Sequence, residues 1–325
     1  MKLHHYKGAF EGAIVATAQH LGIAEIYVEK DYWVTFALKQ IFMDPNSKNI
    51  AVFKGGTSLS KCFGIIDRFS ENIDIVVIKD HEETDNSLKR KLKEITTALE
   101  GVMTVIPDHP LENKRGKIRK LVYGYDKVGV KGAFGQVRDQ IVLEVSSLGS
   151  SHPSEKVRVH SMITAFIGTT NNLDLIKEYQ LEPFEVKTLS IERTFCEKII
   201  SLVRFSYTEF PLEDLANKIR HTYDLHQLLQ EDRISSFLNS DNFESMLLQV
   251  GKDDDKAIPK DKEWLSKHPS ESLFFSRTEK VWETLGKTYS TSFKELLTGE
   301  LPNESKVLAS LLTIGEKLKM IAWKI

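Results

Sequence analysis

Residues able to do phosphate and metal chemistry gather in one stretch, Ala51 to Ile78, AVFKGGTSLSKCFGIIDRFSENIDIVVI. Gly55-Gly56 permits a sharp backbone turn and the close approach of a ligand. Thr57 and Ser58 are good N-cap residues for a following helix that carries Leu59, Cys62, Phe63 and Ile66. Beyond the Arg68–Glu71 loop, Ile73, Ile75 and Val77 fall at period two. Asn72, Asp74 and Val76 therefore face the other side of a strand. A carboxylate at the start of a strand, beside a glycine turn and a helix N-terminus, suits a metal-bound phosphate. Glu144, a lone acid among the apolar residues of Gln140–Val145, is a further candidate ligand. A charge on a buried strand must be paired, ligated or neutralised, although an ordinary salt-bridged edge residue accounts for it equally well.

The elements that must position these groups follow from periodicity. Residues 9–45 read as helical, with Phe10, Ala13, Ala16 and Leu21 on one stripe and a break near Gly22. Tyr27–Phe42 continues at helical spacing until Asp44-Pro45-Asn46 ends it. Glu29, Lys30 and Asp31 fit a solvated first turn. Ile50, Val52 and Phe53 are strand formers leading into Lys54. Residues 87–100 form an amphipathic helix with Leu88, Leu92, Ile95 and Leu99 on one side and Lys89, Arg90, Lys91 and Lys93 on the other. A second basic run, Lys114 to Lys120, precedes an alternating strand Leu121–Tyr125. Such runs are usually solvated faces, but near a phosphate site they also suit a nucleic-acid substrate. Further strands are expected at Gln140–Val145 and Val157–Ile163.

After Leu189 the period becomes helical: Ile191–Tyr207, then a break at Pro211, Leu215–Leu229, and 232–250, 271–298 and 304–323, with a polar linker Gly251–Lys262. The shift near 188 divides the chain into a first domain, 1–188, and a helical one, 189–325.

The chain has 325 residues, 41% hydrophobic and 28% charged, an ordinary globular composition. A formal net charge of -2 excludes a global basic field, so any nucleic-acid contact must come from a local patch. Cys62 and Cys196 sit in apolar surroundings and read as buried free thiols, suited to a reducing cytosol. No signal peptide or membrane span is expected, which points to a cytoplasmic protein. Several motifs fail on inspection. Gly286-Lys287-Thr288 has Val281 where a P-loop needs its leading glycine. Asp253-Asp254-Asp255 lacks the rest of an EF-hand and reads as a solvated loop. His221 and His226 have no accompanying HExxH, and no GxSxG is present.

Phe53-Lys-Gly-Gly-Thr-Ser58, followed by Arg68-Phe-Ser-Glu-Asn-Ile-Asp-Ile75, resembles the AbiEii/AbiGii toxin family. These are nucleotidyltransferase-superfamily toxins of type IV toxin–antitoxin and abortive-infection (phage-defence) systems. Val28-Glu-Lys-Asp-Tyr-Trp33 looks like the family's lead helix, Arg193-Thr-Phe-Cys-Glu-Lys198 like its lysine motif, and Arg220-His-Thr-Tyr-Asp-Leu225 like its arginine/aspartate motif. In order, these motifs span residues 28–229. The resemblance implies an α+β fold, a polymerase-beta-like nucleotidyltransferase core with a mixed sheet, followed by an all-helical C-terminal domain. It implies an NTP substrate, Mg²⁺, an RNA target with tRNA as the family-based choice, and an antitoxin encoded nearby. Gly55, Gly56, Thr57 and Ser58 would hold phosphates. Asn72, Asp74 and Glu144 would face the metals, and Lys198 and Asp224 would close over the nucleotide with Arg220 nearby.

One departure bears on activity. Where the family pattern is usually Asp-x-Asp, this chain has Asn72-Ile73-Asp74. An amide offers one oxygen but no charge, and holds a hard dication less well. A catalytically weakened nucleotide-binding module is therefore an alternative, as is a nucleotidyltransferase acting on a protein or small molecule.

Overall fold

The computed structural model describes residues 1–68, 72–80, 82–129, 139–257 and 263–324. The chain divides into two compact units. Unit 1 comprises Met1–Phe63, Phe69–Ser147 and Ser154–Thr188, and unit 2 comprises Gly64–Arg68, Leu148–Pro153 and Leu189–Ile325. No composition signal marks the two short segments that join unit 2.

Unit 1 opens with helices α1 (Lys7–Leu21) and α2 (Glu25–Met43), separated where Gly22 adopts a left-handed conformation, φ +68°. There follow β1 (Ala51–Lys54), α3 (Gly55–Lys61), β2 (Asn72–Val77), α4 (Asp85–Thr97), β3 (Thr104–Val105), β4 (Ile118–Gly124) and β5 (Ile141–Ser146). Then come β6 (Ser154–Val159), α5 (Met162–Gly168), α6 (Asp174–Glu178) and β7 (Phe184–Leu189). The strand expected over Val157–Ile163 is displaced, because Ser161 caps α5 through its hydroxyl and Ile163 is helical.

The strands form one mixed sheet in the order β3-β4-β5-β2-β1-β7-β6. β1 runs antiparallel to β2 and parallel to β7, β2 runs parallel to β5, and β4 antiparallel to β5. Alternation sorts the faces. Ile73, Ile75, Val77, Leu121, Tyr123, Ile141, Leu143 and Val145 join the core built with residues of α1, α2 and α4. Asn72, Asp74 and Glu144 therefore lie on the opposite face.

The charged residues of the second turn of α2, which begins at Glu25, depart most from expectation. Glu29, Lys30 and Asp31 are buried, at 1%, 0% and 4% exposure, not solvated. Each charge is answered by a partner distant in sequence. Glu29 accepts the Val128 amide at 2.8 Å. Lys30 donates to the Gln140 carbonyl and lies 5.5 Å from the Tyr125 ring centre. Asp31 takes the Lys61 ammonium at 2.5 Å and the Met162 amide at 2.6 Å. One carboxylate thus fixes the last residue of α3 and the first of α5.

Unit 2 contains α7 (Ile191–Phe205), α8 (Pro211–Ala216), α9 (Ile219–Leu229), α10 (Asp232–Leu238), α11 (Asp241–Ala257), α12 (Glu263–Ser266), α13 (Leu273–Ser276), α14 (Thr278–Thr288) and α15 (Glu304–Leu318). Phe195, Ile199, Leu202 and Val203 of α7 are fully buried, as their spacing predicts. Pro211 begins a helix rather than interrupting one, since at the first helical position its missing N–H costs nothing. The expected linker from Gly251 is helical to Ala257. Asp253 takes Arg193 at 2.6 Å and Asp254 takes Arg204 at 2.7 Å, so these acids are not a solvated loop. The rest of that linker, 258–262, and residues 69–71 of the Arg68–Glu71 loop lie outside the described residues. Among the described residues, no helix is long and apolar enough to cross a membrane.

Removing one member of a buried ion pair strands the other without solvent, at a cost of about 3–5 kcal/mol. Asp31→Ala should lower the stability of the protein by about that amount, seen as a lower urea midpoint. A surface control, Glu11→Ala, should leave the midpoint nearly unchanged.

Candidate functional site

Strand β1 passes straight into α3, whose first residue is Gly55 and whose N-cap is Lys54. Thr57 and Ser58 are therefore inside the helix and do not cap it. Both are buried, and their hydroxyls are used within the protein. Thr57 Oγ1 donates to the Asn72 carbonyl, and Ser58 Oγ donates to the Gly55 carbonyl at 2.8 Å. The helix ends at Lys61, so Phe63 and Ile66 follow it rather than belong to it. Gly55 has φ +83°, and a Cβ at this position would lie 2.5 Å from Asp74 Oδ2. The glycine is thus required twice, by backbone conformation and by the Asp74 carboxylate pressed against its Cα. Gly56 is the second helical residue and carries no positive φ.

Across the sheet, the register sets four charged residues in one row. Lys54 of β1 stands opposite Asp74 of β2, Asp74 beside Glu144 of β5, and Glu144 opposite Lys120 of β4. The Glu144 carboxylate is engaged by Lys120 Nζ at 2.6 Å, both side chains being about 30% exposed (29% and 28%). Asn72 lies two residues before Asp74 on the same face. Its Oδ1 is buried and has no hydrogen-bond partner among the described residues. Such an orphaned acceptor suits a cation, and every donor in the group is a hard oxygen, the type Mg²⁺ selects. Asn72 and Asp74 fit such an ion. Among the described residues, however, no three acids, histidines or cysteines converge.

Lys198 and Asp224, both in unit 2, do meet. Lys198 Nζ donates to Asp224 Oδ2 at 2.6 Å and lies 3.5 Å from His221 Nδ1. The same carboxylate receives Arg68 in a bidentate grip, Nε to Oδ1 and Nη2 to Oδ2, each 2.7 Å. Arg68, Lys198 and Asp224 are 6%, 5% and 0% exposed. Burial would raise the Asp224 carboxyl, but Arg68 and Lys198 outweigh it and hold the group well below the usual carboxylate range. Burial, reinforced by Lys198, keeps His221 neutral. Arg220 lies half-buried at the start of α9, and Arg193 is committed to Glu197 and Asp253.

Sequence reasoning missed Lys120 and Arg68. Lys120 had a readable signal, since the alternation of Leu121 and Tyr123 puts it on the polar face. Arg68 had none beyond its place in a motif, its partner lying 156 residues away. The basic runs are partly consumed internally. Lys91 is buried against Asp80 and Glu83 at 2.7 and 2.9 Å, Arg119 bonds Thr96 Oγ1 at 2.8 Å, and Lys114 pairs with Glu112. Lys89, Arg90, Lys93, Arg115 and Lys117 remain exposed.

The depressed Asp224 carboxyl makes stability depend on pH. Its contribution is fully present above the unfolded value of about 4. It is lost as pH falls through the lower folded value. Asp224→Asn should be less stable than the parent at neutral pH, by about 3–5 kcal/mol. The gap should narrow on acidification below about pH 4, as read by urea denaturation across a pH series.

No curated protein matches the chain. The family model described as nucleotidyl transferase AbiEii toxin, Type IV TA system, matches residues 37–311. That span contains Gly55, the β2 face, Glu144, Lys198, Arg220 and Asp224. The chain belongs to the AbiEii family of nucleotidyltransferase toxins of type IV toxin–antitoxin systems.

Proposed function

We propose that this chain is a Mg²⁺-dependent NTP:RNA nucleotidyltransferase, with tRNA as the target, acting in the cytoplasm. The observation that carries the reading is the Asp74 carboxylate, set against the Cα of Gly55 and beside Glu144 in the parallel β2–β5 pair. An acceptor hydroxyl, losing its proton to solvent, forms a bond to the α-phosphorus of the NTP as the bond to the bridging oxygen breaks and pyrophosphate leaves. Mg²⁺, when bound, would supply electrostatic stabilisation of the charge developing on the phosphoryl group. Asp74 and Asn72 would hold it, and the helix start at Gly55 and Gly56 offers backbone N–H groups to the phosphates. Thr57 and Ser58 contribute by main chain, their hydroxyls being engaged. The family motifs also assign Lys198, Asp224 and Arg220 to the nucleotide. For Asp224, the bidentate Arg68 supports a role in fixing Lys198 rather than in direct contact.

The exposed Lys89, Arg90, Lys93, Arg115 and Lys117 support an RNA acceptor. An antitoxin encoded nearby completes the system. Asn72 favours a second reading, a nucleotide-binding module with little turnover. A third, transfer to a protein or small molecule, draws on the net charge of -2.

Labelled NTPs incubated with total RNA should yield a labelled RNA band. Asn72→Asp should raise Mg²⁺-dependent incorporation by about tenfold or more, since the added charge strengthens a hard-cation site. Equal activity of the two forms would remove Asn72 as the limiting residue. Absence of labelling from both, with NTP binding retained in calorimetry, would support the binding module. Label on protein or metabolite would support the third reading.

A further inference from the structure

Lys120 belongs to none of the family motifs, yet its ammonium lies 2.6 Å from the carboxylate of Glu144, a candidate metal ligand. Its placement is enforced by the sheet. β4 and β5 pair in a register that puts Lys120 opposite Glu144, next to Leu121↔Leu143 and Val122↔Val142, and these apolar neighbours are almost fully buried. A slip of one residue would turn Leu121 and Tyr123 out of the core, so the lysine cannot leave the row. The row reads Lys54, Asp74, Glu144, Lys120, in which the formal charges cancel. A pair of divalent cations held by carboxylates needs an excess of negative charge. Here Asn72 has removed one unit and Lys120 offsets another.

We propose that the Lys120 ammonium takes the place of a second divalent cation at Glu144, so that this chain holds one ion, at Asp74 and Asn72. The inference rests on the proposed metal-dependent function but concerns occupancy alone. A lysine Nζ is a compact charge with three donors. At 2.6 Å from Glu144 Oε2 it sits within charge-assisted hydrogen-bonding distance of the carboxylate that a second ion would use. Unlike an ion it is covalently tethered, and its occupancy does not depend on metal concentration. Asn72 and Lys120 then act in the same direction, each lowering the number of metal charges the face can hold.

The test is Mn²⁺ binding to the full chain, read as loss of the free-ion electron paramagnetic resonance signal, with thermal denaturation confirming that each variant is folded. The parent should bind about one ion per chain, and Lys120→Gln about two, because Glu144 then becomes available. Lys120→Gln combined with Glu144→Gln should return to about one. An unchanged stoichiometry and affinity in Lys120→Gln overturns the proposal. If Lys120→Gln does not fold, Glu144→Gln alone decides. Retention of the parent's ion supports a site confined to Asp74 and Asn72, and its loss shows that Glu144 is a ligand despite Lys120. A parent that binds no Mn²⁺ while RNA labelling proceeds overturns the one-ion site and leaves nucleotidyl transfer standing. A gained ion in Lys120→Gln without labelling by any form supports the occupancy proposal and overturns the function.

Discussion

Unit 1 depends on a carboxylate that cannot be left alone. Asp31 is buried in α2, where an unanswered charge would cost several kcal/mol. It is satisfied only if the end of α3 and the beginning of α5 both come to it. The apolar contacts that press the helices onto the sheet are non-directional and would tolerate small slides. The ion pair and the amide bond are directional. They fix α3 along its axis, and thereby the position of Gly55 at its other end. The site's glycine turn is thus set by an interaction at the far end of a seven-residue helix.

How much of this was readable in the sequence varies with the range of the interaction. The β2 strand and its faces follow from period two, and the apolar stripe of α7 follows from period 3.6, because both are local properties of the chain. Glu29-Lys30-Asp31 was misleading for a physical reason. Charges on a first helical turn are solvated in most proteins, and only distant partners, Val128, Gln140, Lys61 and Met162, make burial affordable. Asp253 and Asp254 failed in the same way, their arginines lying about 50 to 60 residues away on α7. Thr57 and Ser58 were placed by type correctly near a helix start but not by role. The helix begins two residues earlier, where only glycine tolerates Asp74.

The candidate site was legible as a set of residues rather than as an arrangement. Asp74 and Glu144 are cross-strand neighbours, which the sequence could not pair, since a parallel register between strands about 70 residues apart leaves no local trace. Family membership supplies the motif positions, and geometry changes what some of them do. Asp224 is spoken for by two cations within unit 2, a pattern that suits orienting a lysine. The β4 lysine shows the complementary lesson. A residue outside every family motif is in contact with Glu144.

The segment Gly64–Arg68 has a consequence for dissection of the molecule. It clusters with unit 2, although it lies between α3 and β2, both elements of unit 1. A fragment cut at Leu189, where the helical pattern begins, would carry Asp224 and Lys198 but not the guanidinium that grips the carboxylate. During synthesis the arginine leaves the ribosome long before its aspartate exists. Unit 2 cannot complete its buried charge cluster until the chain is made through α9. The two units are therefore interleaved as stretches of sequence, and no single cut in the chain yields either one whole.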